Sequence, residues 1–142
     1  MSDDIYREII LDHYRNPRNK GKLAIADVSV HDSNPLCGDE IDMHLKIDSN
    51  TIQDVKFEGR GCAISQASAS MLTEMVMGKD LEFIKELKKE DILENIGLTN
   101  LGPARIKCAL LSLKVLKVGM IKYYTDKDPV SAEKIKGESQ IY

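Results

Sequence analysis

Residues 40–48, Glu-Ile-Asp-Met-His-Leu-Lys-Ile-Asp, alternate apolar and polar side chains without a break. A helix repeats every 3.6 residues and cannot keep such a segment in phase. A strand, with its period of two, puts Ile41, Met43, Leu45 and Ile47 on one face and Asp42, His44, Lys46 and Asp48 on the other. Asp48-Ser49-Asn50 reads as a turn, and residues 53–59 follow as a second strand with Val55 and Phe57 inward. So short a connection makes the two strands antiparallel. Residues 25–31, Ile-Ala-Asp-Val-Ser-Val-His, supply a candidate third. With one face apolar and the other polar, helices should cover only one side. The expected fold is therefore α+β: a small antiparallel sheet of about three strands with helices packed on one face.

The remaining segments fit helices. Residues 3–15 place Ile5, Ile9 and Ile10 at helical spacing, with Ser2 as a cap and Asp3 and Asp4 at the positive end of the dipole. Asn16-Pro17 and Gly21 break that pattern into a loop. After Phe57 the period changes, and a helix of small residues carries Ile64, Ala67, Met71 and Met75 as one stripe, with Gly78 at its C-terminal end. Short mixed-charge helices follow in residues 80–97. Gly102-Pro103 opens a long helix from about Ala104 to about Tyr124, with Leu110, Leu113, Leu116 and Met120 on its core face. Residues 1–142 read as a single domain, with a polar and loose tail from about residue 125.

Composition excludes several function classes. No apolar run approaches the roughly 20 residues of a membrane span. A net charge of −3 without a basic cluster argues against nucleic acid as the main partner. The acidic opening Met-Ser-Asp-Asp lacks the basic and apolar regions of a secretory signal, so the expected setting is the reducing cytoplasm.

Three cysteines cannot all pair within one chain. Each stands at the edge of an element: Cys37 in the turn before the alternating strand, Cys62 after Gly59-Arg60-Gly61 at a helix start, Cys108 early in the last helix. Gly38 lets the backbone turn so that Cys37 and Asp39 can face one ion. A helix N-terminus favours an anionic sulfur, the metal-binding and nucleophilic form. Three thiolates and a carboxylate make a four-ligand site suited to zinc or an iron–sulfur cluster. The separations, 25 residues from Cys37 to Cys62 and 46 from Cys62 to Cys108, match no zinc-finger pattern, so small buried hydrophobic cysteines stay an alternative. Arg105, about one turn before Cys108, is placed either to pair with Asp39 and hold a sulfur anion or to face solvent. Lys107 reads as solvated, His44 likewise, and His13 and His31 as structural.

The segments Asn-Pro-Leu-Cys-Gly-Asp-Glu (34–40), Gly-Arg-Gly-Cys-Ala-Ile-Ser-Gln-Ala-Ser-Ala-Ser (59–70) and Pro-Ala-Arg-Ile-Lys-Cys (103–108) together resemble the IscU/SufU family, also called NifU N-terminal-like. The opening Tyr-Arg-Glu-Ile-Ile-Leu-Asp-His-Tyr-Arg-Asn-Pro is similar to that family's first helix and loop, so the resemblance covers about residues 5 to 124. It implies a scaffold and sulfur acceptor of iron–sulfur cluster assembly, with Cys37, Asp39, Cys62 and Cys108 as ligands of zinc or of a transient [2Fe–2S] cluster. It implies a cysteine desulfurase as sulfur donor, and apo iron–sulfur proteins or carriers as recipients. The sulfur lands on Cys37 or Cys108, with Cys37 the choice favoured by the SufU-like motifs. The motifs are SufU-like, whereas the 45 residues between Cys62 and Cys108 match the shorter IscU branch, and Lys107 stands where that branch carries histidine. A scaffold is the leading reading. A zinc-dependent sulfurtransferase of SufU type and a structural zinc-binding domain are the alternatives.

Overall fold

The computed structural model describes residues 3–35, 38–97 and 101–127. Three strands form one sheet in the order β1-β2-β3: β1 (Val28–Asn34), β2 (Asp39–Asp48) and β3 (Thr51–Arg60), antiparallel throughout. The helices are α1 (Asp3–Arg15), α2 (Ala63–Val76), α3 (Leu81–Glu86), α4 (Lys89–Ile96) and α5 (Pro103–Lys127). This is the α+β architecture that the alternating segment dictates, with α2 and α5 lying on the sheet and α1 and α4 packed against them.

β2 carries the strongest pattern and sits centrally. Ile41, Met43, Leu45 and Ile47 all face the helices and are buried. The β2–β3 turn holds Ser49 at φ 52° and Asn50 at φ 60°, the paired left-handed residues of a type I′ hairpin. A bulge interrupts the β2–β3 register: Lys46 pairs with Asp54 and Ile47 with Ile52, which leaves Gln53 over. Ile52 and Val55, three apart, therefore both point inward.

Two segments differ from the sequence expectation. The first strand starts three residues later than residue 25, and Ile25 is 78% exposed. Pairing with β2 decides this, because the ladder runs from Val28↔Leu45 to Asn34↔Asp39 and recruits the polar Asp32-Ser33-Asn34. The second departure is α2, where a single apolar stripe was expected. Every residue from Ser65 to Thr73 is buried, while the stripe's ends, Ile64 and Met75, are only partly so. The helix runs between α1, α5 and the sheet, so its small polar residues need partners of their own. Ser68 Oγ donates to the Ala109 carbonyl (2.6 Å), and Ser70 Oγ accepts from Arg18 N (2.9 Å) and lies 2.8 Å from His13 Nδ1. Gly78 lies in the left-handed region (φ 79°), where glycine ends a helix without strain.

The core joins both layers. Leu110, Leu113, Leu116 and Met120 of α5 are buried, as the sequence predicts. Gly119 lets α5 lie close against the sheet: a Cβ there would stand 3.2 Å from Val30 Cγ1. No helix among the described residues is long and apolar enough to cross a membrane. The tail expected from residue 125 falls mostly outside the described residues, although α5 extends to Lys127.

Candidate metal centre

Asp39 opens β2 in phase with Ile41, Met43, Leu45 and Ile47, so the pleat turns its carboxylate toward the helices rather than toward solvent. Asp39 is 0% exposed. A carboxylate so enclosed needs strong partners. Its Oδ1 accepts from the Cys62 backbone N–H at 2.8 Å, and its Oδ2 lies 3.8 Å from Cys62 Sγ. Gly61 makes this approach feasible. Its φ is +147°, and a Cβ there would collide with the Asp39 carboxylate. Gly59 is close in the same way to the Glu40 carbonyl across the ladder.

Cys62 is the N-cap of α2, with extended backbone (φ −71°, ψ 162°). Its sulfur accepts from Ser65 N at 3.4 Å, so the thiol fills the place usually taken by a serine or aspartate oxygen. Ser65 Oγ in turn donates to the Cys62 carbonyl (3.3 Å) and accepts from Gln66 Nε2 (2.9 Å). Cys108 sits at the second turn of α5 and is 2% exposed. It faces inward with Ala109, Leu111 and Ser112, all buried.

Strand start, helix cap and helix turn thus bring three candidate ligands together. One ligand atom each from Asp39, Cys62 and Cys108 all lie within 4.8 Å of one another. Zinc–sulfur bonds of roughly 2.3 Å in a tetrahedral site place donor atoms somewhat under 4 Å apart, so modest inward movement closes this set on one ion. The donor chemistry, two sulfurs and a carboxylate, suits zinc or iron. Asp39 and Cys108 are buried, whereas Cys62 is partly exposed and Gly61 exposed. Cys37 lies outside the described residues. Its neighbour Gly38 is in the left-handed region (φ 71°) and donates from N to the Asn34 carbonyl at 2.9 Å, so the turn closes beside Asp39.

Arg105 and Lys107 are both exposed on the first turns of α5. His44 is half-buried on the outer sheet face. His31, on the same face, is exposed and pairs at 2.5 Å with Asp42, its neighbour across the ladder. His13 is buried between α1 and α2. Sequence reasoning did not single out Gly61 as the seat of the Asp39 carboxylate, nor Ser65 and Gln66 behind Cys62. The parity of Asp39 with Ile41 and Met43 was the available signal for the inward carboxylate, since odd positions of that strand are the apolar ones.

A scaffold of this shape with a cysteine–carboxylate cluster defines a recognisable class of protein. The chain belongs to the NifU-like N terminal domain family, whose model matches residues 5–129. It is 44% identical over 136 residues to the zinc-dependent sulfurtransferase SufU of Bacillus subtilis, covering 84% of this chain and 92% of that one. It is 39% identical over 133 residues to the iron–sulfur cluster assembly scaffold protein IscU of Thermotoga maritima, covering 83% and 94%. Among solved structures, one from Fervidobacterium islandicum, described as a candidate assembly scaffold for the SUF system, superposes with a TM-score of 0.67 at 35% identity, covering 84% of this chain and 99% of that one. A nitrogen-fixation NifU-like N-terminal domain from Brucella abortus gives a TM-score of 0.72 at 24% identity, covering 88% and 97%, and shows the shared fold alone.

Proposed function

We propose that this chain is a cytoplasmic iron–sulfur cluster assembly protein that accepts sulfur from a cysteine desulfurase at a centre formed by Cys37, Asp39, Cys62 and Cys108. The observation that carries the reading is the convergence of Asp39, Cys62 and Cys108 within 4.8 Å in a chain of this family. A bound zinc would hold the sulfurs deprotonated and tie three separate elements together. The residues present fit it: two sulfur donors and one oxygen donor are in place, and Cys37 adjoins Asp39 in sequence through Gly38.

The chain's own part in transfer is nucleophilic. The Cys37 thiolate attacks the outer sulfur of the donor's cysteine persulfide. A sulfur–sulfur bond forms to Cys37, the donor's sulfur–sulfur bond breaks, and the donor leaves as a thiolate, with no net oxidation. Cys108 is the competing acceptor. At 2% exposure it offers a partner's active site little access, which supports giving the role to Cys37. Asp39 then keeps its place beside Cys62, held by the Cys62 N–H. An oxygen ligand among thiolates holds a cluster less firmly than a fourth cysteine, which suits a protein that passes its cargo to apo iron–sulfur proteins or carriers.

A second reading has a specific observation behind it. The 44% identity to a zinc-dependent sulfurtransferase supports a protein that relays sulfur without building a cluster. One experiment separates the two: incubation of the chain with cysteine desulfurase, cysteine and ferrous iron under reducing anaerobic conditions. Visible absorption of a [2Fe–2S] centre on the chain is expected for the scaffold. A persulfide detected by mass on Cys37 without that absorption assigns the relay. Neither product would overturn both. A Cys37→Ser chain that still gains sulfur at full rate, while Cys108→Ser does not, would move the acceptor to Cys108.

A further inference from the structure

Each polar atom of Cys62 has a partner. Its N–H donates to Asp39 Oδ1 at 2.8 Å, and its sulfur accepts from Ser65 N at 3.4 Å. Its carbonyl accepts from Ser65 Oγ at 3.3 Å and from Gln66 N at 3.2 Å. Ser65 thus holds one residue at two places, the sulfur with its backbone and the carbonyl with its hydroxyl. A serine hydroxyl has one proton to give and two lone pairs. Gln66 Nε2 donates to that oxygen at 2.9 Å, which leaves the proton for the Cys62 carbonyl. Both side chains are buried, Ser65 fully and Gln66 to 7% exposure. The end of β3 closes against the glutamine amide: a Cβ on Gly59 would stand 3.1 Å from Gln66 Oε1.

Helix stability alone does not account for this arrangement. The cap needs one acceptor, and the Cys62 sulfur already supplies it. Burying a glutamine forfeits about as much rotamer freedom as one neutral hydrogen bond returns. We infer that Ser65 and Gln66 are positioning residues that act on the bound metal through Cys62. They fix the Cys62 backbone, and with it the direction from which the sulfur meets the ion. The inference depends on the metal-centre reading above. A thiol at an unsupported cap chooses among three rotamers, and its peptide can tip. With sulfur and carbonyl both tied to Ser65, neither movement occurs without breaking a bond. The two residues act in series: Gln66 orients the Ser65 hydroxyl, and the hydroxyl holds Cys62.

The test uses the full chain loaded with zinc, and separately with cobalt(II), in Ser65→Ala, Gln66→Met and the double variant. Zinc release is timed in excess chelator. The sulfur-to-cobalt charge-transfer absorption reports how the sulfurs meet the ion. Loss of a residue that orients a metal ligand typically costs roughly 10–100-fold in affinity. The expected result is release about tenfold faster or more in each single variant, with a weakened cobalt band. The double variant should release zinc no faster than Ser65→Ala, because residues acting in series do not add. Urea unfolding of the metal-free chains reads out a merely structural role. Variants that lose metal-free stability yet release zinc at the unaltered rate, with an unchanged cobalt band, would overturn the inference. A double-variant effect equal to the product of the two single effects would also overturn it. If Ser65→Ala fails to fold, Gln66→Met carries the test with the same two metal readouts, and unaltered values there overturn the inference. An unaltered chain whose cobalt complex shows no sulfur charge transfer would instead overturn the metal-centre reading, so the two failures are distinct.

Discussion

At the scale of single residues, Gly61 carries more of the site than its lack of a side chain suggests. Its φ of +147° is strained for any other residue, and the space a Cβ would fill is taken by the Asp39 carboxylate. Gly61→Ala should therefore push Asp39 out of its bond to the Cys62 N–H. We expect a stability loss of about 1–3 kcal/mol, the range for such strained positions, together with a faster loss of zinc to a chelator. Urea unfolding and chelator competition on the same preparation measure both. Unchanged zinc release would mean that Asp39 is not held through Gly61. The residue scale is also where the sequence was least legible. Cys37 and Cys62 announced themselves by their glycine neighbours, but the burial of Asp39 and the N-cap role of the Cys62 sulfur depend on which face of a strand and which end of a helix meet, and no single residue states that.

At the scale of elements, the contact between α1 and α2 depends on a buried imidazole. His13 Nδ1 lies 2.8 Å from Ser70 Oγ, and its Nε2 is 3.8 Å from Glu74. Burial, above all, pushes the His13 pKa down; Arg18 pushes the same way, against Glu74 and Asp12. The sign follows from linkage. A histidine whose folded pKa lies below its unfolded value of about 6.5 is neutral in both states at high pH, whereas below that value the unfolded chain binds the proton more readily. Stability should therefore fall as pH drops through about 6.5 toward the lowered folded value, and level off below it. Thermal unfolding of chelated protein between pH 8 and pH 5 should show this fall, and His13→Asn should flatten it while keeping a polar atom near Ser70. Identical profiles would remove His13 as its source. The same helix pair shows why periodicity reads some elements and misreads others. β2 meets helices on one face and water on the other, so its alternation is plain in the sequence. α2 is enclosed on nearly every side, and its serines and alanines vary with close packing rather than with a stripe. β3 hides Ile52 from a two-residue count because the bulge at Gln53 shifts the phase, and β1 is placed by its ladder with β2, not by its own pattern.

At the scale of the whole molecule, the fold gathers the ends of three elements at one point. The start of β2, the cap of α2 and the second turn of α5 belong to parts of the chain separated by 23 and 46 residues, and the mutual contact of sheet, α2 and α5 fixes their relative placement. A metal bound only by the folded chain adds its binding free energy to stability, so metal content and folding should rise and fall together. The central claim is that Cys37 joins Asp39, Cys62 and Cys108 on one ion. Zinc X-ray absorption on the purified, zinc-loaded chain tests it most directly. The account predicts three sulfur neighbours at about 2.3 Å and one oxygen at about 2.0–2.2 Å, falling to two sulfurs in Cys37→Ser. A first shell of oxygen and nitrogen alone, or a sulfur count that Cys37→Ser and Cys62→Ser leave unchanged, would contradict it.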